Sequence, residues 1–540
     1  MLSSEASPRS NRSIPVNSSF NRTTNNGPLN EAAAVTPKDA AAVILLKDKT
    51  DPKNPEVFCV KRSEKLAFLG GFHAFPGGQL DPADAEARVE NRPDKETAAM
   101  ISCAARELFE ELGVLAARGA ESLTKGQRAS LLDDLESGRM SWPALLAHYD
   151  LYLAAQDFTF VGRWLTPPFS ARRFDTWFFL VNCPSRQEPH VIPGELESGE
   201  WTTARAAHLR WQQSEVLAVP PTLHALKTLA EGITADLVER FLSTPHAHRE
   251  PVRRIEFRPN YICFPVRTPT KPPATHTNCY LIHTSRSVLV IDPGSPYEDE
   301  QGALHSVIDE LLAEGRMLSG VLLTHVHPDH VGGVNALRSH FGNVRVSAHA
   351  FTTQGLQDSI RIDASLADQD ILELEGEPQI RFRMLHTPGH ARGHLCLHDQ
   401  RTGTLISGDN IVGLGSVLID PPEGNMRDYL RSLERMRAIP NLLVIFPGHG
   451  PAIANPYEKV GEYISHRLQR EGLILAAVRQ GVTTPKEIVA RVYIDVSPKA
   501  HAMAERAVLA HLEKLESDGL VEREGEDWRP RNRPGYSSEL

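Results

Sequence analysis

Seven consecutive residues, Thr324-His325-Val326-His327-Pro328-Asp329-His330, carry four potential metal ligands within six positions. Imidazole and carboxylate groups together suit zinc or a similar borderline metal. An apolar run at 321–323 comes directly before them, which predicts that the ligands lie on a loop leaving a buried strand. Loops of this kind often carry the chemistry of α/β proteins. The segment therefore predicts an α/β domain with a metal site.

Further ligand candidates follow apolar stretches downstream. His390 comes after a Thr-Pro-Gly turn, Asp409 follows the apolar pair 405–406, and His449 follows the apolar stretch 442–446. Each repeats one design, in which a strand stops at a small residue and exposes one ligand. Upstream, Asp292 ends the apolar run 288–291 and is expected to orient a ligand through a hydrogen bond. No such pattern supports His349, His386, His394 or His466, although His466 and Arg467 could contact an anionic substrate.

Together these positions resemble the metallo-β-lactamase superfamily, whose His-x-His-x-Asp-His loop and later His, Asp and His hold two metals. All seven positions match. The resemblance implies an αβ/βα sandwich, two Zn²⁺ ions and hydrolysis by an activated water. It assigns His325, His327 and His390 to one metal, Asp329, His330 and His449 to the other, and Asp409 to a bridging place. It also implies a catalytic role for Asp329.

The C-terminal part has the pattern of three helices and a hairpin. Thr484-Pro485-Lys486-Glu487 is a capping box, Ser497-Pro498 repeats the start signal, and 520–528 is typical of a short hairpin after a stop at Gly519. This layout is that of a winged helix.

Following the metal domain directly, this module resembles the LACTB2-like branch of the superfamily over roughly 268–528. The vertebrate member of that branch is a mitochondrial endoribonuclease for single-stranded RNA, and related members cleave thioesters. RNA is therefore one partner that the resemblance implies. The module is not conspicuously basic, however, because it contains acidic residues at 505, 513, 516, 518, 522 and 524.

A second motif, Arg106-Glu107-Leu108-Phe109-Glu110-Glu111-Leu112-Gly113-Val114, lies in the N-terminal part. On a helix, Glu107, Glu110 and Glu111 share one face, and their mutual repulsion would be relieved by Mg²⁺ or Mn²⁺. With the upstream Gly77-Gly78 turn, the motif resembles the Nudix box, whose fold is an α/β/α sandwich. The resemblance implies that these three glutamates bind metal and that Glu110 and Glu111 act in catalysis. The spacing is longer than usual, and Glu96 lies out of register.

Flanking residues narrow this second resemblance. Arg62-Ser63, the segment 172–176 and Pro220-Pro221-Thr222 are similar to the Nudix subfamily of coenzyme A diphosphatases over roughly 40–230. Such an enzyme would use Mg²⁺ and a glutamate-activated water to cleave a nucleotide-linked diphosphate. Two alternatives stay open, an ordinary acidic surface helix and an inactive Nudix-like domain that binds a nucleotide or coenzyme A.

Length and composition are those of an ordinary multidomain globular protein. The chain has 540 residues, of which 41% are hydrophobic and 23% charged, so an α/β multidomain fold is expected. Six singly scattered cysteines argue against disulfides and favour a reducing interior, and we expect a cytoplasmic protein without a membrane span. The net charge of −10 gives no general attraction to nucleic acid.

We expect five segments along the chain. The Ser- and Asn-rich start lacks an apolar signal region and predicts a disordered tail. A proline-rich stretch near 243–273 predicts a linker and the first strands of the next domain. The predicted boundaries are a tail at 1–35, a Nudix-like domain at 36–245, a metallo-β-lactamase-fold domain at 246–455, a winged helix at 456–530 and a tail at 531–540.

Three functional hypotheses follow from these patterns. The chain could be a bifunctional hydrolase that cleaves the thioester and the diphosphate of a substrate such as acyl-coenzyme A. It could instead be a single-stranded RNA endoribonuclease with a separate task for its Nudix-like domain, which would act on a nucleoside diphosphate derivative. In the third hypothesis the N-terminal domain binds a ligand and regulates the hydrolase. Substrate choice is expected to depend on loops such as 411–423.

Overall fold

The N-terminal α/β domain is built around one long buried strand. The computed structural model describes residues 35–66, 69–91, 94–167, 170, 172–244, 252–494 and 496–531, so the predicted tails fall outside it except for Val35 and Arg531. The elements of this domain are β1 (Lys38–Leu46), β2 (Glu56–Arg62), β3 (His73–Ala74), β4 (Gly77–Gln79), β5 (Val89–Glu90), α1 (Lys95–Leu112), α2 (Lys125–Glu136), α3 (Trp142–His148), β6 (Leu153–Ala154), β7 (Thr159–Leu165), β8 (Phe174–Asn182), β9 (Leu196–Thr203), α4 (Ala204–Gln212), α5 (Pro220–Ala230) and α6 (Leu237–Leu242).

Strand β1 is buried on both faces, which explains its nearly continuous apolar sequence. It pairs in parallel with β8 and antiparallel with β2 and β4, in a sheet of order β3-β2-β1-β8-β7. Alternate residues of β1 enter two different cores, one containing α1 to α3 and the other α4 to α6. Helices therefore cover both faces of the sheet, which is the α/β/α sandwich that the sequence predicts.

The next part of the chain forms two sheets that pack face to face. Its elements are β10 (Ile255–Arg258), β11 (Tyr261–Arg267), β12 (His276–His283), β13 (Ser287–Ile291), α7 (Glu298–Ala313), β14 (Met317–Leu322), α8 (Pro328–Val331), α9 (Val334–Phe341), β15 (Val346–His349), α10 (Ala350–Leu356), β16 (Ala364–Leu366), β17 (Ile371–Leu374), β18 (Ile380–His386), β19 (Leu395–Asp399), β20 (Thr404–Gly408), α11 (Met426–Arg437) and β21 (Val444–Pro447).

Both sheets follow chain order, from β10 to β16 and from β17 to β21. A core between them holds aromatic residues such as Tyr261, Tyr280, Phe382 and Phe446. Separate outer cores pack α7 and α9 on the first sheet and α11 on the second. The layers therefore run helix, sheet, sheet, helix, as predicted for an αβ/βα sandwich. Strands β10 and β11 lie within the proline-rich stretch at 243–273, where the sequence predicts a linker and the first strands of this domain.

The C-terminal part has the predicted three helices and hairpin. Its elements are α12 (Pro456–Arg479), α13 (Pro485–Val492), α14 (His501–Ser517), β22 (Val521–Glu524) and β23 (Asp527–Pro530). Thr484 and Glu487 form the predicted capping box, and a single 3₁₀ turn at Pro498–Ala500 precedes α14. Trp528 of the hairpin is 1% exposed and completes the core of this module.

The N-terminal and lactamase-fold parts share a core. Phe72 and Leu217 of the N-terminal part lie in the cluster between the two lactamase sheets, where the rings of Phe72 and Phe257 meet edge to face at 5.4 Å. Nearby, Nδ2 of Asn455 donates to the carbonyl of Glu64 at 3.2 Å. These contacts fix the two parts against each other.

Two absences were predicted from composition. All six cysteines are buried and free. Among the described helices, none combines the length and the apolar character that crossing a membrane requires.

Candidate metal centre

The ligand candidates follow strand ends, and all except His390, which follows the antiparallel strand β18, come after strands that have a parallel neighbour. Strands β13 and β14 run parallel in the first sheet, and β20 and β21 run parallel in the second. The carboxyl ends of parallel strands meet at one edge, so the loops that follow them converge there. Close approach needs small residues: a side chain at Gly448 would lie 2.3 Å from Oδ1 of Asp409, and one at Gly294 would collide with the backbone of Asp329.

The first group of ligands consists of His325, His327 and His390. Nδ1 of His327 lies 3.0 Å from Nε2 of His325 and 2.9 Å from Nε2 of His390. Three ring nitrogens therefore converge at one point. These are the residues that the sequence assigns to the first metal.

The second group consists of Asp329, His330 and His449, whose ligand atoms also converge. Nε2 of His449 lies 3.5 Å from Oδ2 of Asp329. Asp409 stands between the groups: its Oδ1 is 3.3 Å from Nε2 of His330, and its Oδ2 is 3.3 Å from His449 and 3.6 Å from His390. The structure thus brings together all seven residues that the sequence singles out.

Asp292 supports the ligands from beneath. Its two carboxylate oxygens accept from the backbone N–H and the hydroxyl of Thr324, at 2.8 and 2.6 Å, and Oδ2 also lies 2.8 Å from Nδ1 of His330. Asp292, His325 and His330 form a third convergent group. Because its oxygens already have these partners, we assign Asp292 to orienting the ligands rather than to binding metal.

Outer ring nitrogens of two further ligands are also held in place. Nδ1 of His390 lies 2.9 Å from the carbonyl of Leu418, and Nδ1 of His449 lies 2.8 Å from the carbonyl of His276. Each carbonyl can only accept, so each ring donates from Nδ1 and turns its Nε2 lone pair toward the site.

Sequence reasoning missed His394. This buried ring accepts from the backbone N–H of Asp409 at 3.1 Å through Nε2, and its Nδ1 lies 3.1 Å from the hydroxyl of Thr387. It therefore fixes the backbone that presents Asp409. The available signal was its place directly before the apolar strand β19, since the other site residues also lie at strand ends.

Three buried atoms of the site, Nε2 of His330, Nε2 of His449 and Oδ1 of Asp409, make no hydrogen bond of good geometry, and their polar contacts are ion pairs within the ligand set at 3.3 to 3.5 Å. Buried polar atoms in native proteins are nearly always paired, so these atoms point to a ligand. Burial lowers the pKa of His325 and His390 and takes that of His327 to about 3. Neutral imidazoles and ionised carboxylates are the donors that a divalent transition metal requires, so the residues suit such ions.

The carboxylates dominate the second group. Burial alone would lower the pKa of His449, but the carboxylates of Asp409 and Asp329 raise it to about 10. Burial would raise the pKa of Asp409, yet His449 and His330 hold it well below its usual range. Negative charge at this end of the site therefore favours a bound cation.

The ligands form the floor of a cleft of about 800 Å³. One wall is the segment 412–423, and the facing wall belongs to the C-terminal module, including residues of α12 and α14. His466 and Arg467 both lie on the cleft, as the sequence suggests for contact with an anionic substrate. The guanidinium of Arg467 is already engaged by Ser416 and Val417 and lies over the ring of Tyr429.

The three N-terminal glutamates lie near the end of α1 but are held apart. Arg106 Nη1 donates to both Glu107 and Glu110 at 2.8 Å, and Arg106 also binds the buried Asp84. Oε2 of Glu111 instead accepts from the backbone N–H of Gly77 at 2.8 Å. The three carboxylates are not among the convergent ligand groups of the described residues.

Burial dominates the electrostatics of these glutamates. It raises the pKa of Glu107 to about 7 and that of Glu111 to about 8, and it raises the pKa of Glu110 as well. The backbone passes close by, since a side chain at Gly78 would lie 2.4 Å from Glu107. A hard cation bound beside the glycine turn would stabilise the ionised form of these desolvated carboxylates.

Comparison with known proteins supports the interpretation of the C-terminal half of the chain. Residues 272–449 match the profile of the metallo-β-lactamase superfamily, and 484–528 match the β-lactamase-associated winged helix domain. A β-lactamase-like protein 2 homologue from Drosophila melanogaster is 33% identical over 258 residues, which cover 45% of this chain and 84% of that protein.

Two further similarities extend this comparison. An atrochrysone carboxyl ACP thioesterase from Aspergillus novofumigatus is 27% identical over 316 residues, 56% of this chain and 92% of that protein. A NUDIX hydrolase from Alicyclobacillus acidocaldarius is 33% identical, with a TM-score of 0.33, and covers 38% of this chain and 96% of its own. By its matched domains and its relatives, the chain belongs to the metallo-β-lactamase superfamily of hydrolases, within the group of β-lactamase-like protein 2 homologues, and it carries a β-lactamase-associated winged helix at its C-terminal end.

Proposed function

We propose that the metal centre hydrolyses an ester or thioester of a small acyl substrate with two Zn²⁺ ions. The observation that supports this proposal is the cleft of about 800 Å³, which has the ligand groups on its floor and mostly apolar residues on its walls. A concave, largely apolar site with a few convergent polar groups is typical of small-molecule recognition. The similarity to an ACP thioesterase supports the same bond type.

The residues of the site would each have a defined task. The first histidine group and the second, mixed group would each hold one ion, and Asp409 would lie between the two. Two bound zinc ions supply an acidified water and neutralise negative charge on the carbonyl oxygen. Asp292 and His394 would keep His330 and Asp409 in orientation. Asp329, an ionised carboxylate on the cleft, would accept the proton of a nucleophilic water.

Cleavage of single-stranded RNA is the competing function. Sites for single-stranded RNA combine cationic grooves with aromatic side chains on which bases stack. The described lining of the cleft contains three cations, Lys271, Arg467 and Arg470, but also the acidic residues Asp329, Asp409, Asp420 and Glu423, so it is not a cationic groove. Tyr493 is the one aromatic side chain of that lining apart from histidines, and Arg470 already covers its ring at 4.6 Å. These features favour an acyl substrate over RNA.

For the N-terminal domain we infer diphosphatase activity with Mg²⁺ or Mn²⁺ on a nucleotide-linked diphosphate such as coenzyme A. The specific observation is the placement of Glu107 and Glu111 against the Gly77-Gly78 turn, with both carboxyl groups desolvated. A hard cation bound there would neutralise phosphate charge. Glu110 and Glu111 would activate and orient the attacking water. The chain would then cleave two bonds of one substrate class, acyl-coenzyme A.

One experiment tests both activities, because the two bonds leave different products. The full-length protein is incubated with acetyl-coenzyme A, Zn²⁺ and Mg²⁺, and the products are identified by mass spectrometry. Free coenzyme A reports the metal centre, whereas 3′,5′-ADP and acyl-phosphopantetheine report the N-terminal domain. Asp409→Asn should remove the first product alone, and Glu111→Gln the second alone. If neither bond is cleaved while a single-stranded RNA is degraded, both proposals fail and the nuclease function replaces them.

A further inference from the structure

One face of α14 is apolar and made of small side chains. Ala500, at the cap of the helix, and Met503, Ala504 and Ala507 follow one another at i, i+3, i+4 and i+7, so they share a face. All four line the cleft over the metal ligands, and Val496 extends the same surface. Val508 and Leu512, which follow Ala504 at i+4 and i+8, pack in the core of the winged helix, and Ala504 contributes to both the cleft and that core. Helix α14 thus separates its own module's core from the catalytic cleft.

The other wall is apolar in its first part and carries Asp420 and Glu423 at its end. Val412, Leu414, Val417 and Leu418 line the cleft on the segment that follows β20. The two walls are tied together: Arg506 of α14 places its Nε 2.6 Å from Oδ1 of Asp420 and also donates to the carbonyl of Pro421. The space between the walls is therefore a slot of fixed position.

The floor of this slot carries polar atoms of the ligand set. His449 and Asp409 are buried and line the cleft, and Nε2 of His449 and Oδ1 of Asp409 make ion pairs at 3.3 Å but no hydrogen bond of good geometry. A polar reacting group would sit at these atoms while an attached apolar chain passes between the walls. Small residues leave the room that a chain needs, because every added side-chain carbon would fill part of the slot.

We propose that the face of α14 formed by Ala500, Met503, Ala504 and Ala507 binds the aliphatic acyl chain of the substrate and sets its length. This deepens the thioesterase function proposed above and rests on it for the identity of the reacting group. The winged helix then serves as a substrate-binding wall of the hydrolase. Affinity rises about fourfold for each CH₂ group that is buried in such a slot.

Binding of unreactive thioethers tests this assignment without requiring catalysis. Isothermal titration calorimetry of the full-length protein compares S-decyl-N-acetylcysteamine with S-ethyl-N-acetylcysteamine. The decyl probe should bind at least about 100-fold more tightly than the ethyl probe, since its extra methylenes are buried. Ala504→Phe should weaken decyl binding by at least about tenfold and change ethyl binding less than about twofold, because the new ring fills the slot.

Ala502→Phe is the matched control, since Ala502 lies on the exposed side of the same helix and should leave both affinities unchanged. Met503→Ala is the second variant and leaves the helix packing intact. It should weaken decyl binding by about tenfold, because the contact between the methionine side chain and the alkyl chain is lost. If Ala504→Phe does not unfold cooperatively on heating, that variant is not properly folded, and the result for Met503→Ala then decides the test. If the variants that fold bind the decyl probe with the affinity of the wild type, the proposal is wrong.

A parallel assay of decanoyl-N-acetylcysteamine hydrolysis separates this proposal from the proposed function. If the α14 substitutions do not change the rate of hydrolysis, the thioesterase function is supported and the acyl-binding role of α14 is wrong. If the α14 substitutions weaken decyl binding but the protein hydrolyses no thioester, the acyl-binding role of α14 is supported and the thioesterase function is wrong.

Discussion

Oδ2 of Asp292 lies 2.8 Å from Nδ1 of His330, and both side chains are buried. An ionised carboxylate can only accept, so His330 donates from Nδ1 and leaves the lone pair of Nε2 for the metal site. The backbone of Asp292 has a φ of 51°, in the left-handed region that Asn and Asp tolerate better than other side chains. Asp292, in this uncommon backbone conformation directly after β13, therefore fixes the tautomer of His330.

Asp292→Asn should weaken metal binding while preserving the fold. Asn keeps the size and tolerates the backbone conformation, but its amide nitrogen cannot accept from His330. We expect an affinity for Zn²⁺ about 10- to 100-fold lower, as for other lost partners of metal-bound histidines. Titration against a zinc chelator measures the change. Unaltered affinity would show that the tautomer of His330 is fixed by other contacts.

Asp409→Asn should reduce the metal content of the purified protein. Its carboxylate lies within 3.6 Å of ligand nitrogens in both groups, so its neutralisation would remove the charge that the two proposed ions would share. Elemental analysis should fall from two equivalents of metal toward one, and thioester hydrolysis should fall by about 1000-fold. Asp309→Asn, on the exposed surface of α7, is the control and should change neither. Two retained equivalents would argue against a shared carboxylate.

Glu111→Gln should abolish diphosphate cleavage and spare the metal centre. Gln keeps the contact to the N–H of Gly77 through its carbonyl oxygen, so the fold is retained while the charge for Mg²⁺ is lost. We expect the diphosphatase rate to fall by at least about 100-fold with thioester hydrolysis unchanged. An unchanged diphosphatase rate would mean that the domain binds its nucleotide without this carboxylate.

The affinity of the N-terminal site for Mg²⁺ should depend on pH. Burial raises the pKa of Glu107 to about 7 and that of Glu111 to about 8, so below pH 7 protons occupy carboxyl groups that the cation needs. Affinity should therefore rise between pH 6 and pH 8 by about tenfold per pH unit for each proton displaced and level off above about pH 8. Titration calorimetry in Glu111→Gln should show a shallower rise. A flat profile in the wild type would exclude these carboxyls as ligands.

Phe72→Ala should destabilise both α/β parts together. Phe72 belongs to the N-terminal part but is fully buried in the core between the lactamase sheets. Its loss should reduce the free energy of unfolding by about 3 to 4 kcal/mol. Both hydrolytic activities should then be lost at the same lower temperature. Phe351→Ala, at a side chain 43% exposed, is the control. Separate inactivation temperatures would show that the parts unfold independently.

The ligand set could be predicted because each ligand leaves a local trace, an apolar strand followed by a small residue and a polar one. Asp409 and His449 were visible in this way although they lie 40 residues apart. His394 was missed because its role depends on the backbone of Asp409, which is distant in sequence. The apolar slot could not be predicted either, because it forms only where the face of α14 lies across the cleft from the segment 412–423, which is distant in sequence. Such contacts are set by tertiary packing.

The sequence indicates a domain boundary near residue 245. The chain should not be truncated there, because Phe72, Leu217 and Phe257 form one core across that boundary. A fragment starting near the first lactamase strand would present an unfilled hydrophobic surface to water, and so would its N-terminal counterpart. Loss of an activity on truncation would then report aggregation as readily as it reports the missing domain. Each half must be silenced by a single substitution, inside the intact chain, for its contribution to be known.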